Sequence, residues 1–448
     1  MKITIPDFEH HFLSAYTENK AIIEAYTPYL KKLRETAFRL FEKGLALPAK
    51  RDENYQHIDI SKAFNDTYHL HYDKEKKQET TEDMLCDVFE EDEVLTVTMV
   101  NGWVQNGLHE LPSGVILGSL VEAYKKYPAL VETYFYGIVD ESEPLTALNT
   151  LFAQDGFFVY VPDKVELNKV VKLINIVSAT EELLISPRSL IVVGKQASVK
   201  FLLCEQSIFP AYFANNSVLA LHAESSAQVE FIRLQDTHNK SYQLTSTYIH
   251  QATDSHVKSN TITLHGGNVR NNIFAVLAGE GAYHEMLGLF LVDKGQHVDN
   301  FTFIEHAKSH GTSNERFNGI LDDFSTGAFS GRILVDKDAQ QTNARQSNHN
   351  ILLTSDAKMN TKPQLEIYAD DVKCSHGAVV GQLNEEALFY LRQRGIYKKD
   401  ARLLLLSAFA DEIVSQITIE KVTEEVRRLV SRRLGGDWSR CNKCQIKC

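Results

Sequence analysis

The stretch that most restricts how this chain can fold runs from about Val165 to Gly381, roughly 200 residues with no strong helical periodicity. Short runs of Val, Ile, Leu, Phe and Thr alternate there with Gly, Asn, Asp and Ser. Examples are Leu190–Val193, Val199–Cys204, Val218–Leu221, Val229–Arg233, Leu289–Val292 and Ile333–Val335. Such alternation predicts an extended all-β unit. The stretch also repeats itself. Leu291-Val292-Asp293-Lys294 recurs as Leu334-Val335-Asp336-Lys337, an offset of 43, and the same offset carries Gly288 onto Gly331, Asn300 onto Asn343 and His306 onto His349. A fixed offset with matched turns predicts stacked coils of a β-solenoid, with two rungs per offset. Chance identity of a four-residue word competes with that explanation, and three further matches in one register weigh against it.

The flanks differ. Thr27-Pro28 reads as a helix start, Leu30, Leu33, Ala37, Leu40 and Phe41 follow at helical spacing, and Gly44 ends the run. Leu47 to Ile60, LPAKRDENYQHIDI, reads as a polar surface connection, and Asp73 to Thr80 as a solvated mixed-charge loop. Helical spacing is expected over Ile116 to Phe135. From Ala147 to Leu167 the pattern passes from helix to strand, with Gly156 at the switch. After Gly381 helices return: Asn384 to Arg394 before Gly395, Lys398 to Ile417, and a third whose apolar face is Ile419, Val422, Val426, Leu429 and Val430, closed by Gly435-Gly436. The expected units are a mostly helical 1–164, a β core 165–381, a helical 382–436 and a Cys-rich tail 437–448. Periodicity leaves open whether the last three helices form a bundle or offer a face to a partner.

Composition narrows the function. The chain has 448 residues, 43% hydrophobic and 24% charged, the range of ordinary globular proteins. A formal net charge of −12 argues against a nucleic-acid groove, which needs a basic stripe. The start, MKITIPDFEHHF, has no basic segment followed by an apolar run, and no apolar run approaches the ~18 residues of a membrane span, so a cytoplasmic protein is expected. Six cysteines, Cys86, Cys204, Cys374, Cys441, Cys444 and Cys448, are too few for a disulfide framework in so long a chain and are expected free, buried or metal-directed.

Tests for enzymatic motifs fail. Gly194-Lys195 is followed by Gln196 and lacks the earlier Gly of a P-loop, so no nucleotide site of its own is expected. Gly279-Glu280-Gly281 meets His284 where a dinucleotide fingerprint needs its third Gly, and His284-Glu285 meets Gly288 where a zincin needs its second His. Asp322-Asp323 and Asp370-Asp371 are adjacent and face opposite ways in a strand, which suits turns better than acid–base pairs. Histidines are numerous in the β region, among them His250, His256, His265, His284, His297, His306, His310, His349 and His376.

Two places carry metal-ligand chemistry. In Tyr368 to Gly381, YADDVKCSHGAVVG, Cys374 and His376 share one face of a strand, roughly 6–7 Å apart along the backbone. Two readings stay open: a shared site for one soft metal ion or cluster, or a small buried Cys beside a hydrogen-bonded His. In the tail, Cys441, Cys444 and Cys448 form C-x2-C-x3-C. Three thiolates so close suit Zn²⁺, Cu⁺ or an iron–sulfur cluster but lack a local fourth ligand, and an oxidation-prone end is the alternative.

The segment Gln364 to Ile396, QLEIYADDVKCSHGAVVGQLNEEALFYLRQRGI, closely resembles the signature of the SufB/SufD family of the Suf iron–sulfur cluster assembly machinery, on its SufD side. LPAKRDENYQHIDI, ALNTLFAQDGFFVYVP and GRILVDKDAQQTNARQSNHNILL are similar to that family as well, so the resemblance runs over nearly the whole chain. It implies a mixed, mainly β fold: a right-handed parallel β-helix core flanked by N-terminal and C-terminal helical domains. It implies a non-catalytic scaffold that pairs with a SufB-like paralogue through the β-helix, and a SufC-like ABC ATPase bound near the C-terminal helices, which supplies nucleotide chemistry in trans. ATP-driven dimerisation of that ATPase would strain the pair and open the interface where a transient iron–sulfur cluster is built. By motif matching His376 lies at this interface and shares the cluster with SufB, with Cys374 beside it in a less defined role. A homodimer of the isolated chain is a further expectation. The Cys-rich tail departs from the family pattern and inherits no role. The alternatives are a SufB-like paralogue, or a stand-alone metal-binding protein or enzyme using the β-region histidines or the tail.

Overall fold

Each β-rich run between the flanks forms one strand, and successive strands alternate between two parallel sheets. The computed structural model describes residues 2–50, 52–64, 67–72, 87–178, 181–208 and 212–436. Strand makes up 43% and helix 26%, arranged as a β-solenoid of about eight turns between N-terminal and C-terminal helices. Towards its C-terminal end the first sheet runs through His297–His306, Thr326–Val335 and Lys358–Ile367, and the second through Tyr283–Val292, Thr312–Leu321, Thr342–Leu352 and Val372–Gly381. Tyr283 pairs with Thr312 and His297 with Thr326, so a coil takes 29 residues here. The 43-residue repeat is therefore about one and a half coils, not two rungs. It carries Leu291–Lys294, leaving a strand of the second sheet, onto Leu334–Lys337, leaving a strand of the first. Both sheets end their strands at similar corners, and that is why the two words match.

One corner shows what sets the coil length. Gln196, Ser226, Asp254, Gly281, His310 and Gln341 all have positive φ, one in each successive coil. Each donates its backbone N–H to the corner of the next coil: Gln196 to Ser225 O, Ser226 to Thr253 O, Asp254 to Glu280 O, Gly281 to Ser309 O, His310 to Gln340 O and Gln341 to Asp371 O. Most side chains pay a small steric cost in this left-handed region. The hydrogen bonds continuing round the bend offset it.

Within the coils, alternate residues fill the lumen. Val199, Phe201, Leu203, Val229, Phe231, Met286 and Phe317 from the second sheet meet Ile191, Leu221, Ile249, Ile273, Ile304 and Phe329 from the first in one continuous buried core. Sequence alternation put these residues on one face, and the coil buries that face against the opposite sheet.

The N-terminal part is more β than expected. Val94–Val100 pairs in parallel with Val170–Val177, and Phe157–Val161 with Arg188–Val193, so both sheets begin before residue 165. Ile116–Ser119 is a strand that pairs antiparallel with Phe157–Val161, and helix begins only at Leu120, where the Ser119 side chain accepts from Glu122 N–H. The antiparallel hairpins Leu108–Glu110/Ile116–Ser119 and Val94–Val100/Trp103–Val104 close this end of the solenoid. Gly156 sits where the chain leaves the helix Pro144–Phe152 for its strand, and any Cβ there would collide with the carbonyl of Arg188. The helix Phe8–Tyr26 precedes the anticipated one, which runs from Lys31 to Glu42. Buried Arg34 joins them: it donates to the carbonyls of Thr27, Thr150 and Ala153. The stretch 47–60 is not a surface connection throughout. Tyr55 is buried, its hydroxyl bonded to Glu143 and its ring 4.5 Å from the Arg270 guanidinium.

The three C-terminal helices, Glu385–Gln393, Lys398–Val414 and Glu420–Gly435, lie where the sequence indicated, except that the second ends at Val414 and not at Ile417. Asn384 caps the first by accepting from Ala387 N–H. Gly436, at φ 77, closes the last. They do not make a separate bundle. Leu406, Ala410, Ile413, Val422, Val426 and Leu429 pack on Leu234, Ile262, Leu289 and Ile320, the outer face of the second sheet. Buried Arg433 fixes the last helix there, donating to Asp293 Oδ1 at 2.6 Å and to the carbonyl of Leu264. Among the described residues, no helix is long and apolar enough to cross a membrane.

Candidate functional site at the open end of the solenoid

The last coil holds Cys374 and His376, one of the two ligand-type groups singled out in the sequence. Among the described residues, Lys358–Ile367 ends the first sheet and Val372–Gly381 ends the second, each paired on one side only. A sheet edge carries a row of unpaired backbone donors and acceptors. Around these edges the surface is unusually apolar: Tyr368 is 63% exposed, Val379 56%, Ile367 41% and Val380 41%.

Strand register decides which way Cys374 and His376 point. Cys374 pairs with Ala344 and packs against the lumen core. His376, two residues on, shares that lumen-facing side and is exposed because no further coil closes the end. The same-face expectation therefore holds for the backbone, and the face is the mouth of the solenoid. The Cys374 thiol is free and half-buried. Burial pushes its pKa above the ordinary thiol value, and a hydrogen bond at the Ala344 backbone pulls the other way. In the isolated chain it is a thiol more than a ready thiolate ligand.

Behind His376 stands a polar column that the sequence did not single out. Met286, Glu315, Gln346 and His376 pair in register across four consecutive strands. Gln346 donates from Nε2 to Glu315 Oε2 at 2.7 Å. Burial pushes the Glu315 carboxyl up to about 7, with the polar groups of Thr302 and Gln346 opposing the rise. Gly331 faces this column from the other sheet, and a Cβ there would collide with the Gln346 amide.

The N-terminal 6–173 match the SufBD protein N-terminal region, and residues 175–409 match the SufBD core domain of the SUF system for FeS cluster assembly. Among similar proteins, an iron–sulfur cluster assembly SufBD family protein of Synechocystis is 31% identical, over 87% of this chain and 88% of that one. The iron–sulfur cluster assembly protein SufD of Escherichia coli is 34% identical over 48% of this chain and 51% of its own. SufD of Bacillus subtilis is 26% identical over 72% and 74%. The chain belongs to the SufBD family. Its place is thus in the Suf system of iron–sulfur cluster assembly.

The other candidates in this SufBD-family chain are dispersed. His284 and His306 are buried inside the solenoid, His284 bonded to Gln251 and Ser259 and His306 to Ser313. His265 and His297 are engaged by the Thr237 carbonyl and the Thr326 hydroxyl. His256 and His310 are exposed on the outside. Among the described residues, no group of three or more His, Cys, Asp or Glu is gathered as a metal site. Cys204 is buried, one of the states expected of the cysteines, but it is disulfide-bonded and not free. Cys441, Cys444 and Cys448 lie outside the described residues, as do Cys86 and the charged run 73–80.

Proposed function

We propose that this protein is a SufD-type scaffold subunit with no catalytic chemistry of its own, which pairs end to end with a SufB-like paralogue and helps to hold a transient iron–sulfur cluster as cargo at their junction. The observation that carries this reading is the open last coil. Two unpaired sheet edges, an apolar rim and the pair Cys374/His376 meet at one place, and a second solenoid adding its own edge strands would cover all three. Imidazole and thiolate are both competent iron ligands, and the remaining ligands come from the partner. Cys374 then gains its ligand form only when iron or a partner's charge favours the thiolate.

An ABC-type ATPase of the SufC kind docks, on this reading, near the C-terminal helices. Phe389 and Tyr390 on Glu385–Gln393, Tyr397 just before Lys398–Val414 and Leu404 on it are exposed, while the opposite face of Lys398–Val414 is held to the solenoid. Aromatic residues on a rigid helix face are typical anchors of protein interfaces. The isolated chain pairs with a second copy through the same edges when no paralogue is present.

The test is co-purification with the paralogue and the ATPase, followed by anaerobic assay of iron and acid-labile sulfide. The wild-type complex should accumulate cluster on supply of iron, sulfur and ATP, and His376→Ala should abolish accumulation while leaving the complex intact. Normal cluster build-up by the His376→Ala complex would sink the ligand role. Deleting 437–448 in parallel asks the same of the Cys-rich tail, whose removal is expected to leave cluster yield unchanged.

A further inference from the structure

The column behind His376 is built more carefully than packing requires. Glu315 and Gln346 are buried in the lumen, where polar groups cost free energy unless they are hydrogen-bonded. Their mutual bond uses Gln346 Nε2 and Glu315 Oε2. Among the described residues, Gln346 Oε1 has no hydrogen-bond partner. The next residue in the ladder beyond Gln346 is His376, one strand spacing away, about 4.8 Å. An imidazole one strand away from a free amide oxygen reaches it by turning about its side-chain torsions. Gly331, opposite, leaves the amide its room.

We propose that Gln346, anchored from behind by Glu315, is the positioning partner of His376: when the mouth is covered, the free amide oxygen accepts one ring N–H, which fixes the tautomer and turns the other ring nitrogen out of the solenoid towards the cluster. The inference rests on the ligand role proposed for His376 and adds the residues that aim it. The logic is that of metal-bound histidines generally, whose second nitrogen is held by an acceptor that sets ring orientation and ligand basicity. Glu315 serves as an anchor because either protonation state leaves it an oxygen that accepts from the Gln346 amide.

The experiment uses the complete complex with its partners and reads cluster yield together with thermal stability of the chain. Replacing both residues by apolar isosteres, Glu315→Leu with Gln346→Leu, removes two buried polar groups at once and is expected to keep or raise the melting temperature. Cluster yield should nonetheless fall about tenfold or more. Glu315→Gln keeps an acceptor for the Gln346 amide and should retain wild-type yield, which separates anchoring from any fault in folding. Wild-type yield in the double variant overturns the proposal, as does a loss in Glu315→Gln as large as in the double variant. If His376→Ala also assembles cluster normally, the ligand role itself has failed. If His376→Ala loses cluster while the double variant does not, only the positioning column has.

Discussion

His284 shows how a single residue ties the solenoid to pH. Gln251 Oε1, an acceptor, lies 2.5 Å from Nδ1, and the Ser259 hydroxyl lies 2.9 Å from Nε2, so the ring is held neutral with its proton on Nδ1. Burial pushes the His284 pKa down to about 3 and that of His306 to about 4. Below pH 6.5 the unfolded chain takes up protons that these folded rings refuse, so stability falls as pH drops from 7 towards 5. Each ring accounts for about 2 kcal/mol of that loss. Glu315 works in the opposite sense: its raised pKa keeps a proton that the unfolded chain gives up above pH 4.5, so its contribution declines as pH rises towards 7. Denaturant melts at pH 5 and pH 7 should therefore show a weaker chain at pH 5. The difference should shrink by about 2 kcal/mol in His284→Gln and widen by about as much in Glu315→Gln. An unchanged difference in His284→Gln would mean that its ring is protonated inside the folded chain.

At the scale of elements, the switch from helix to strand at Gly156 is the least tolerant joint in the N-terminal part. The carbonyl of Arg188 occupies the space of a Cβ, and that oxygen belongs to a strand fixed in the first sheet. Gly156→Ala should cost about 3 kcal/mol, the upper end for overpacking, because neither strand is free to shift. Equilibrium unfolding checks the value, and a loss under 1 kcal/mol would show that the joint relaxes. The helix positions themselves were legible: the start near Asn384, the apolar stripe of Val422, Val426, Leu429 and Val430, and the stop at Gly435-Gly436 follow from propensity and period. What periodicity did not reveal was their destination. An apolar stripe fits a sister helix as well as a sheet, and here the outer face of the second sheet takes it, with Arg433 reaching Asp293. Tyr55 was misread for a related reason: a polar neighbourhood hides a residue whose partners, Glu143 and Arg270, are distant in sequence.

For the whole molecule, the solenoid is closed at one end and open at the other. Antiparallel hairpins finish the N-terminal end, whereas Lys358–Ile367 and Val372–Gly381 present free edges. Val379 points away from the lumen at this end, exposed and outside the buried core. Val379→Lys should change the melting temperature of the single chain little, as exposed substitutions do, yet weaken pairing at the open end, because a charge on an edge strand opposes strand addition. Gel filtration of the isolated chain and co-purification with the paralogue read this out. Undiminished association in both would move the interface elsewhere.

The sequence by itself determined that the β core is a repeating solenoid, the helices at both ends, the shared face of Cys374 and His376, and the family resemblance. All of these rest on side-chain period or on a contiguous motif. It did not determine the coil length, because the residues that turn each corner, from Gln196 to Gln341, share a backbone conformation and no side-chain type. Only with the coil length fixed do Glu315 and Gln346 fall in line behind His376, and only the open last coil makes that line end at a surface. Register is a property of strands paired across whole coils, and so the column emerges in the tertiary structure and nowhere earlier.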